Sequence, residues 1–355
     1  AITSGKLTSK TSLEDRDGGT RATLEAARCL LGKIYLYQEK YTDAKSELEK
    51  VISSGKYDLI ADVSTFYHPA SAGCKEYVLE CVRHYDPSNM YSQEGWFGIL
   101  ANWGFGYGFI AGPEASMHYK FNTTSGYSYF NPSKSLYDAF VAEEGADGYR
   151  LNAWIRTWEQ VIAMNIAVNT TTNKYASEGY FRLKWLASTD DEFVGYWCGN
   201  QSNTPVIRYA DVLLMAAEAC LQAGDQAGAD EYLGRVRDRA RLPRKSHVTL
   251  SDIKLERRLE LAMEGMRFQD LKRWGDAPAV LADKGKKLPT FQIVPDPNND
   301  LTTAAGIYNA RYTTKTTYVD NEKSLAGWTP NRDEWLPFPE NELEVNSNLK
   351  QNPGY

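Results

Sequence analysis

One stretch constrains this chain more than any other, Glu256 to Gly275: Glu-Arg-Arg-Leu-Glu-Leu-Ala-Met-Glu-Gly-Met-Arg-Phe-Gln-Asp-Leu-Lys-Arg-Trp-Gly. Ser251 stands where a helix N-cap belongs, and Asp252 follows in the first turn. Ile253, Leu255, Leu259, Ala262, Met263 and Met266 recur at near-helical spacing, which predicts one helix over 252–274 with a buried stripe. Glu256, Arg257, Arg258, Glu260, Glu264, Arg267, Asp270 and Arg273 are dispersed among them. A solvated, salt-bridged helix would keep its charges on one face and its apolar residues on the other. Here the two are interleaved, so the helix is expected to be partly buried against several neighbours. Arginines in such a setting hold carboxylates or backbone carbonyls with their planar fork. The expected role is architectural and not catalytic.

The rest of the chain is read around this helix. Thr20 to Lys56 has the pattern of a helical hairpin. Leu31, Gly32, Tyr35, Tyr41, Ala44, Leu48 and Val51 fall where a tetratricopeptide-type pair places its small and large contact residues. Tyr209 to Ala240 repeats that spacing with Ala216, Ala217, Cys220, Gly224, Ala229, Leu233 and Val236. The two pairs are far apart in sequence, so the expected architecture is a helical scaffold carrying a long insertion, not a tandem solenoid. Between them, 57–200 loses the helical period. Glu76 to Arg83 reads as a strand and Arg182 to Trp185 as a second; a short helix begins near Asn131, and Asp147 to Asn152 reads as a turn out of it. Residues 276–330 are turn-rich. Pro337 and Pro339 favour an extended strap in the closing stretch 333–355.

The motif from Glu256 to Gly275 resembles the signature of the SusD-like (SusD/RagB) family of outer-membrane nutrient-binding lipoproteins. Thr20 to Thr23 with Tyr35-Leu-Tyr37, Pro205 to Met215 with Arg235 to Ala240, and Leu336 to Pro339 with Asn348 to Tyr355 resemble further family segments, in the same order. The resemblance implies a mostly α-helical SusD-like fold on a tetratricopeptide-type scaffold with long irregular, partly β, inserted loops. It implies one domain over 1–355, with helical pairs near 20–56 and 207–242, a buttress helix at 252–274 and a ligand-side insertion at 57–200. It also implies a cell-surface position at the outer membrane and a glycan bound without cleavage. The implied partner is a TonB-dependent, SusC-like porin. Family members carry an upstream segment with a lipid anchor and further helices. Opening at Ala1-Ile2 without Met, the chain reads as part of something longer.

Composition sets the bounds of function. The net charge of −6 gives no general attraction to nucleic acid or anionic membrane. The 23 Tyr, 9 Trp and 12 Phe, against a mean hydropathy of −0.51, exceed what a polar protein needs for its core. Tyr and Trp suit a surface that stacks on a partner and still faces water. The strongest candidate of that kind is Trp103-Gly-Phe-Gly-Tyr-Gly-Phe109. If extended, it puts Trp103, Phe105, Tyr107 and Phe109 on one face, with glycines opposite. A pyranose lays its C–H face on such rings and takes hydrogen bonds from nearby polar groups, for which Asn102, Glu94 and Gln93 are placed. Trp96, Trp103, Tyr107, Phe105 and Asn102 are the ligand-site candidates, with Trp197 a lesser one; packing in a buried strand is the competing reading of the same row.

Other chemistries find little. Gly106-Tyr-Gly-Phe-Ile-Ala111 matches a dinucleotide fingerprint but has no βαβ context. Asp296-Pro-Asn-Asn-Asp300 begins like a calcium loop and lacks the glycine and distal glutamate. His68, His84, His118 and His247 are scattered, without H-E-x-x-H spacing. Glu143-Glu144 and Asp190-Asp191-Glu192 are carboxylate clusters in which neighbours are expected to point apart into solvent, unlike the facing pair of a glycosidase. Cys29 and Cys220 lie in apolar helical runs as expected buried thiols, Cys74 and Cys81 are near enough in sequence to pair, and no C-x-x-C exists. No metal, cofactor or catalytic residue is expected. The competing functions are peptide uptake, a tetratricopeptide-type protein-interaction scaffold and, most weakly, an enzyme.

Overall fold

The computed structural model describes residues 1–18, 21–82, 131–157, 159–160, 174–175, 178–184, 203–295, 298, 312–321 and 326–355. Its scaffold is two helical hairpins. α1 (Leu24–Tyr37) is capped by Thr23, whose side chain accepts the Ala26 N–H at 3.0 Å, and α2 (Tyr41–Ile52) folds back along it. Gly32 is the point of close approach: a Cβ there would stand 2.7 Å from Cγ of buried Leu48. Between the hairpins in sequence come β1 (Tyr77–Cys81), α3 (Lys134–Glu144), α4 (Tyr149–Trp154), β2 (Ile155–Thr157), β3 (Lys174–Tyr175), β4 (Tyr180–Arg182) and β5 (Thr204–Arg208). The second hairpin is α5 (Tyr209–Gln222) and α6 (Gln226–Arg239). α5 is buried from Tyr209 to Cys220, as a helix surrounded on all sides must be.

The mostly helical expectation holds, and both hairpins lie within the ranges read from sequence. Four details differ. The motif does not form one helix. α7 (Leu250–Glu260) ends in a turn, and α8 (Arg267–Arg273) follows. Met263 at φ 64° and Gly265 at φ 78° reverse the chain there. The N-cap is Thr249, not Ser251: Thr249 and Asp252 form a reciprocal capping box, two residues earlier than expected. Asp147 to Asn152 is not a simple turn, because α4 starts at Tyr149 and buries Arg150, Leu151 and Trp154. The second predicted strand is β4, starting two residues earlier than expected. The remaining elements are α9 (Ala277–Val280), β6 (Lys287–Pro295), β7 (Tyr312–Asp320) and α10 (Glu340–Val345).

The strands make small antiparallel sheets: β1 with β5, β2 with β4, and β3-β6-β7. Two apolar cores are seen among the described residues. One joins α1, α2, α5 and α6 through Ala44, Leu48, Leu213, Ala216 and Leu233. The other joins Phe66, Tyr77, Phe140, Trp154 and Ile155. α7 serves both, with Ile253 in the first and Leu259 in the second. That double burial is why its apolar and charged residues are interleaved. Among the described residues no helix is long and apolar enough to cross a membrane.

Candidate functional site

Trp96, Asn102, Trp103, Phe105 and Tyr107 lie outside the described residues, as do Trp197 and the Asp190-Asp191-Glu192 cluster. The roots of the two segments that carry them are described. One departs beyond β1 and the other returns into β5, and Cys81 pairs with Thr204 across that ladder. The buried Glu80 carboxylate accepts Gly73 N–H at 2.8 Å and Asn203 Nδ2 at 2.9 Å. Antiparallel pairing therefore sets Cys81 and Thr204, the ladder residues nearest these segments in sequence, side by side.

Behind these roots lies a buried ionic network. Arg208, at the end of β5, donates from Nη1 to Glu76 at 2.6 Å and grips Glu264 with Nε at 2.9 Å and Nη2 at 2.6 Å. Arg150 on α4 donates to Glu144 at 2.7 Å, Glu256 at 2.5 Å and Glu260 at 3.0 Å. Arg239 at the end of α6 bonds both Glu76 and Glu260, and Arg237 joins Glu143 at 2.6 Å to Glu256 at 3.0 Å. Lys184, two residues past the end of β4, is sealed from solvent. Its ammonium donates to the carbonyls of Glu260 at 3.1 Å and Ala262 at 3.0 Å and to Glu264 at 2.5 Å, and sits 3.8 Å from the centre of the Trp154 ring.

Electrostatics follow from this packing. Burial alone would raise the Glu260 carboxyl, but Arg239, Arg208, Arg150 and Lys184 hold it well below its ordinary value. Glu144 and Glu76 are raised, because burial outweighs their arginines. Burial likewise pushes Lys184 down to about 8 against the pull of Glu264. These shifted groups have arginine or lysine partners and no open face, so they fix geometry and offer no exposed proton-transfer pair. Glu143 and Glu144 correct the expectation of a solvated acidic loop: they end α3, and each is taken up by an arginine arriving from another element.

A second network closes the motif. Arg257 bridges Asp211 at 2.7 Å and Asp270 at 2.9 Å. Arg273 holds Glu218 at 2.5 and 2.7 Å, and Trp274 Nε1 donates to the same carboxylate at 3.0 Å. The motif's charges thus tie α8 and α7 onto α5.

Cys29 and Cys220 are buried thiols as expected, and burial pushes Cys220 up to about 12. Cys74 and Cys81 are free and do not pair. Glu49, Cys220 and Asp225 bring three ligand-type atoms within 4.8 Å of one another. The Lys45 ammonium lies there already, 2.7 Å from Asp225, and gives that carboxylate a cation. Sequence reasoning missed Arg150 and Lys184 as structural cations. The available signal was weak: a long cation set among aromatic and aliphatic residues in a strand-like or short helical stretch.

The family model for the SusD family matches residues 75–355. A SusD-like protein P2 from Formosa agariphila is 26% identical over 362 aligned positions, covering 93% of this chain and 59% of its own length. Among solved structures, a laminarin-binding SusD-like protein is 26% identical at TM-score 0.65, covering 96% of this chain and 64% of its own. Surface glycan-binding protein A from Bacteroides thetaiotaomicron, solved with laminarihexaose, superimposes at TM-score 0.71 with 24% identity, over 99% of this chain and 68% of its own. The chain spans less than two thirds of the length of the curated relatives it matches.

Proposed function

The chain belongs to the SusD family by its match over residues 75–355, and from that premise we propose that it is a non-catalytic, cell-surface glycan-binding protein. It captures oligosaccharide or polysaccharide and delivers it to a TonB-dependent, SusC-like porin, held at the outer membrane by a lipid anchor upstream of Ala1. The 355 residues act as one SusD-like domain. Trp96, Trp103, Phe105 and Tyr107 stack on the sugar, and Asn102 supplies a polar contact. The observation that carries the reading is the likeness, along 96% of the chain, to a SusD-like protein that binds laminarin. The fold adds a physical reason. A stacking platform must be held still if the ordering of its side chains is not to consume the binding energy. The β1–β5 ladder, which flanks these stretches in sequence and is backed by buried ion pairs, supplies a rigid base.

The test is calorimetric titration against soluble neutral polysaccharides and oligosaccharides, with a peptide pool as control. Saturable glycan binding without product formation is expected, and Trp96→Ala is expected to weaken it while leaving the circular dichroism spectrum unchanged. Heat on peptides with silence on glycans would replace this reading with peptide uptake.

A further inference from the structure

Away from the Trp96–Tyr107 row in sequence, the fold gathers a second set of aromatic side chains at the surface. Tyr137 on α3 and Tyr180 on β4 stack with ring centroids 4.6 Å apart and planes 26° from parallel. Both are half-buried and pack on one side against the second apolar core. Tyr318 on β7 is 49% exposed, and its hydroxyl donates to Glu178 Oε1 at 2.6 Å. The other oxygen of Glu178 accepts the Lys134 N–H that opens α3, at 2.5 Å. The Lys134 ammonium is itself bound to Asp138 at 2.6 Å. One carboxylate therefore joins α3, the turn before β4, and β7. Gly179 makes this possible: it sits at φ 88°, and a Cβ there would come within 2.5 Å of the Phe291 ring on β6.

The arrangement is unusual for exposed tyrosines. A ring half in water is normally free to turn. Here Tyr318 is held through its hydroxyl while about half of the residue stays exposed. The Glu178 carboxylate pushes that hydroxyl up to about 12 by accepting its proton in a hydrogen bond. Fixed aromatic faces edged by hydroxyls and carboxylates suit a ligand with C–H faces and hydroxyl groups. The acids Glu178 and Asp138, with Lys134 already neutralised, disfavour uronate or sulfate groups. We propose that Tyr137, Tyr180, Tyr318 and Glu178 form a second contact surface for a neutral saccharide chain, additional to the aromatic row. This inference rests on the glycan reading above and assigns that ligand a further place to bind.

The experiment is affinity electrophoresis and calorimetry of the full chain with laminarin, starch, xylan and galactomannan. Wild type is compared with Tyr318→Ala, Tyr137→Ala and Trp96→Ala, each verified as folded by circular dichroism. Tyr318 is exposed on a strand, so its truncation tests the surface even if the half-buried Tyr137 variant fails to fold. Losing one stacking contact is expected to weaken polysaccharide binding about three- to tenfold in Tyr318→Ala. In the Trp96→Ala background, adding Tyr318→Ala is expected to reduce the residual retention further. Wild-type affinity in Tyr318→Ala, with binding still sensitive to Trp96, would overturn this surface and leave the glycan reading standing. Failure of wild type to bind any of the four polymers would overturn both.

Discussion

Replacing Glu260 by alanine tests the electrostatic argument most directly. Glu260 is fully buried, and its carboxylate meets Arg150 at 3.0 Å, Arg208 at 3.1 Å from two nitrogens, and Arg239. Removing it leaves three guanidinium groups facing one another in a dry interior with fewer anions. Breaking a buried pair from one side costs about 3–5 kcal/mol, because the stranded charge keeps its desolvation penalty. An unfolding entropy near 2.1 cal/mol/K per residue gives about 0.75 kcal/mol/K over 355 residues, so the expected fall in Tm is about 4–7 °C. Glu260→Gln keeps the volume and one acceptor and is expected to lose less. The assay is thermal melting by circular dichroism with a urea titration alongside. An alanine variant melting within a degree of wild type would refute the reasoning, since it would mean that the arginines are hydrated or re-paired at no penalty.

Two further substitutions probe other parts of the frame. Gly32→Val introduces atoms where even a Cβ would stand 2.7 Å from Leu48, and overpacking of this kind is expected to lower stability by about 1–3 kcal/mol; an unchanged urea midpoint would show that this glycine does not set the α1–α2 spacing. For Glu264, burial raises the carboxyl, and Arg208 and Lys184 more than reverse that, so its folded pKa is depressed. Its contribution is then present above the unfolded carboxylate value of about 4 and lost as pH falls through the lower folded one. Glu264→Gln should flatten the acid limb of Tm against pH below about pH 4, and parallel limbs in mutant and wild type would contradict the assignment.

Much of the frame was legible because its signals are local. The hairpins showed in the periodic small and large residues around Gly32, Ala44, Ala216 and Ala229. The partial burial of the motif showed in Glu256 and Arg257 standing beside Leu255 and Leu259. What was not legible depends on residues that arrive from elsewhere. Glu143 and Glu144 read as solvated because nothing in their own stretch announces Arg237 and Arg150. The apolar stripe from Leu259 to Met266 carried the helix prediction straight through a turn, since Leu261 and Ala262 stay buried whether or not the helix continues. Gly265 was the one visible sign of the break. The tyrosines at 137, 180 and 318 come from three elements and share no sequence pattern.

The break in the motif and the cations around it are parts of one structure. A helix ends with carbonyls that no further turn can satisfy, and the partial negative charge there favours cations. At the end of α7, Leu261 N–H still bonds Arg257 and Ala262 N–H still bonds Leu259. The Glu260 carbonyl instead takes Lys184 at 3.1 Å and Arg208 at 3.1 Å, and the Ala262 carbonyl takes Lys184 at 3.0 Å. Apolar residues at 184 and 208 would leave both oxygens buried without these donors, which is why the interior here is charged and not oily. Once two cations are required at the helix end, Glu264 and Glu76 must come in to neutralise them, and β1 and β5 are drawn to the same point. The residues that cap a broken helix are therefore also those that hold the β1–β5 ladder in place.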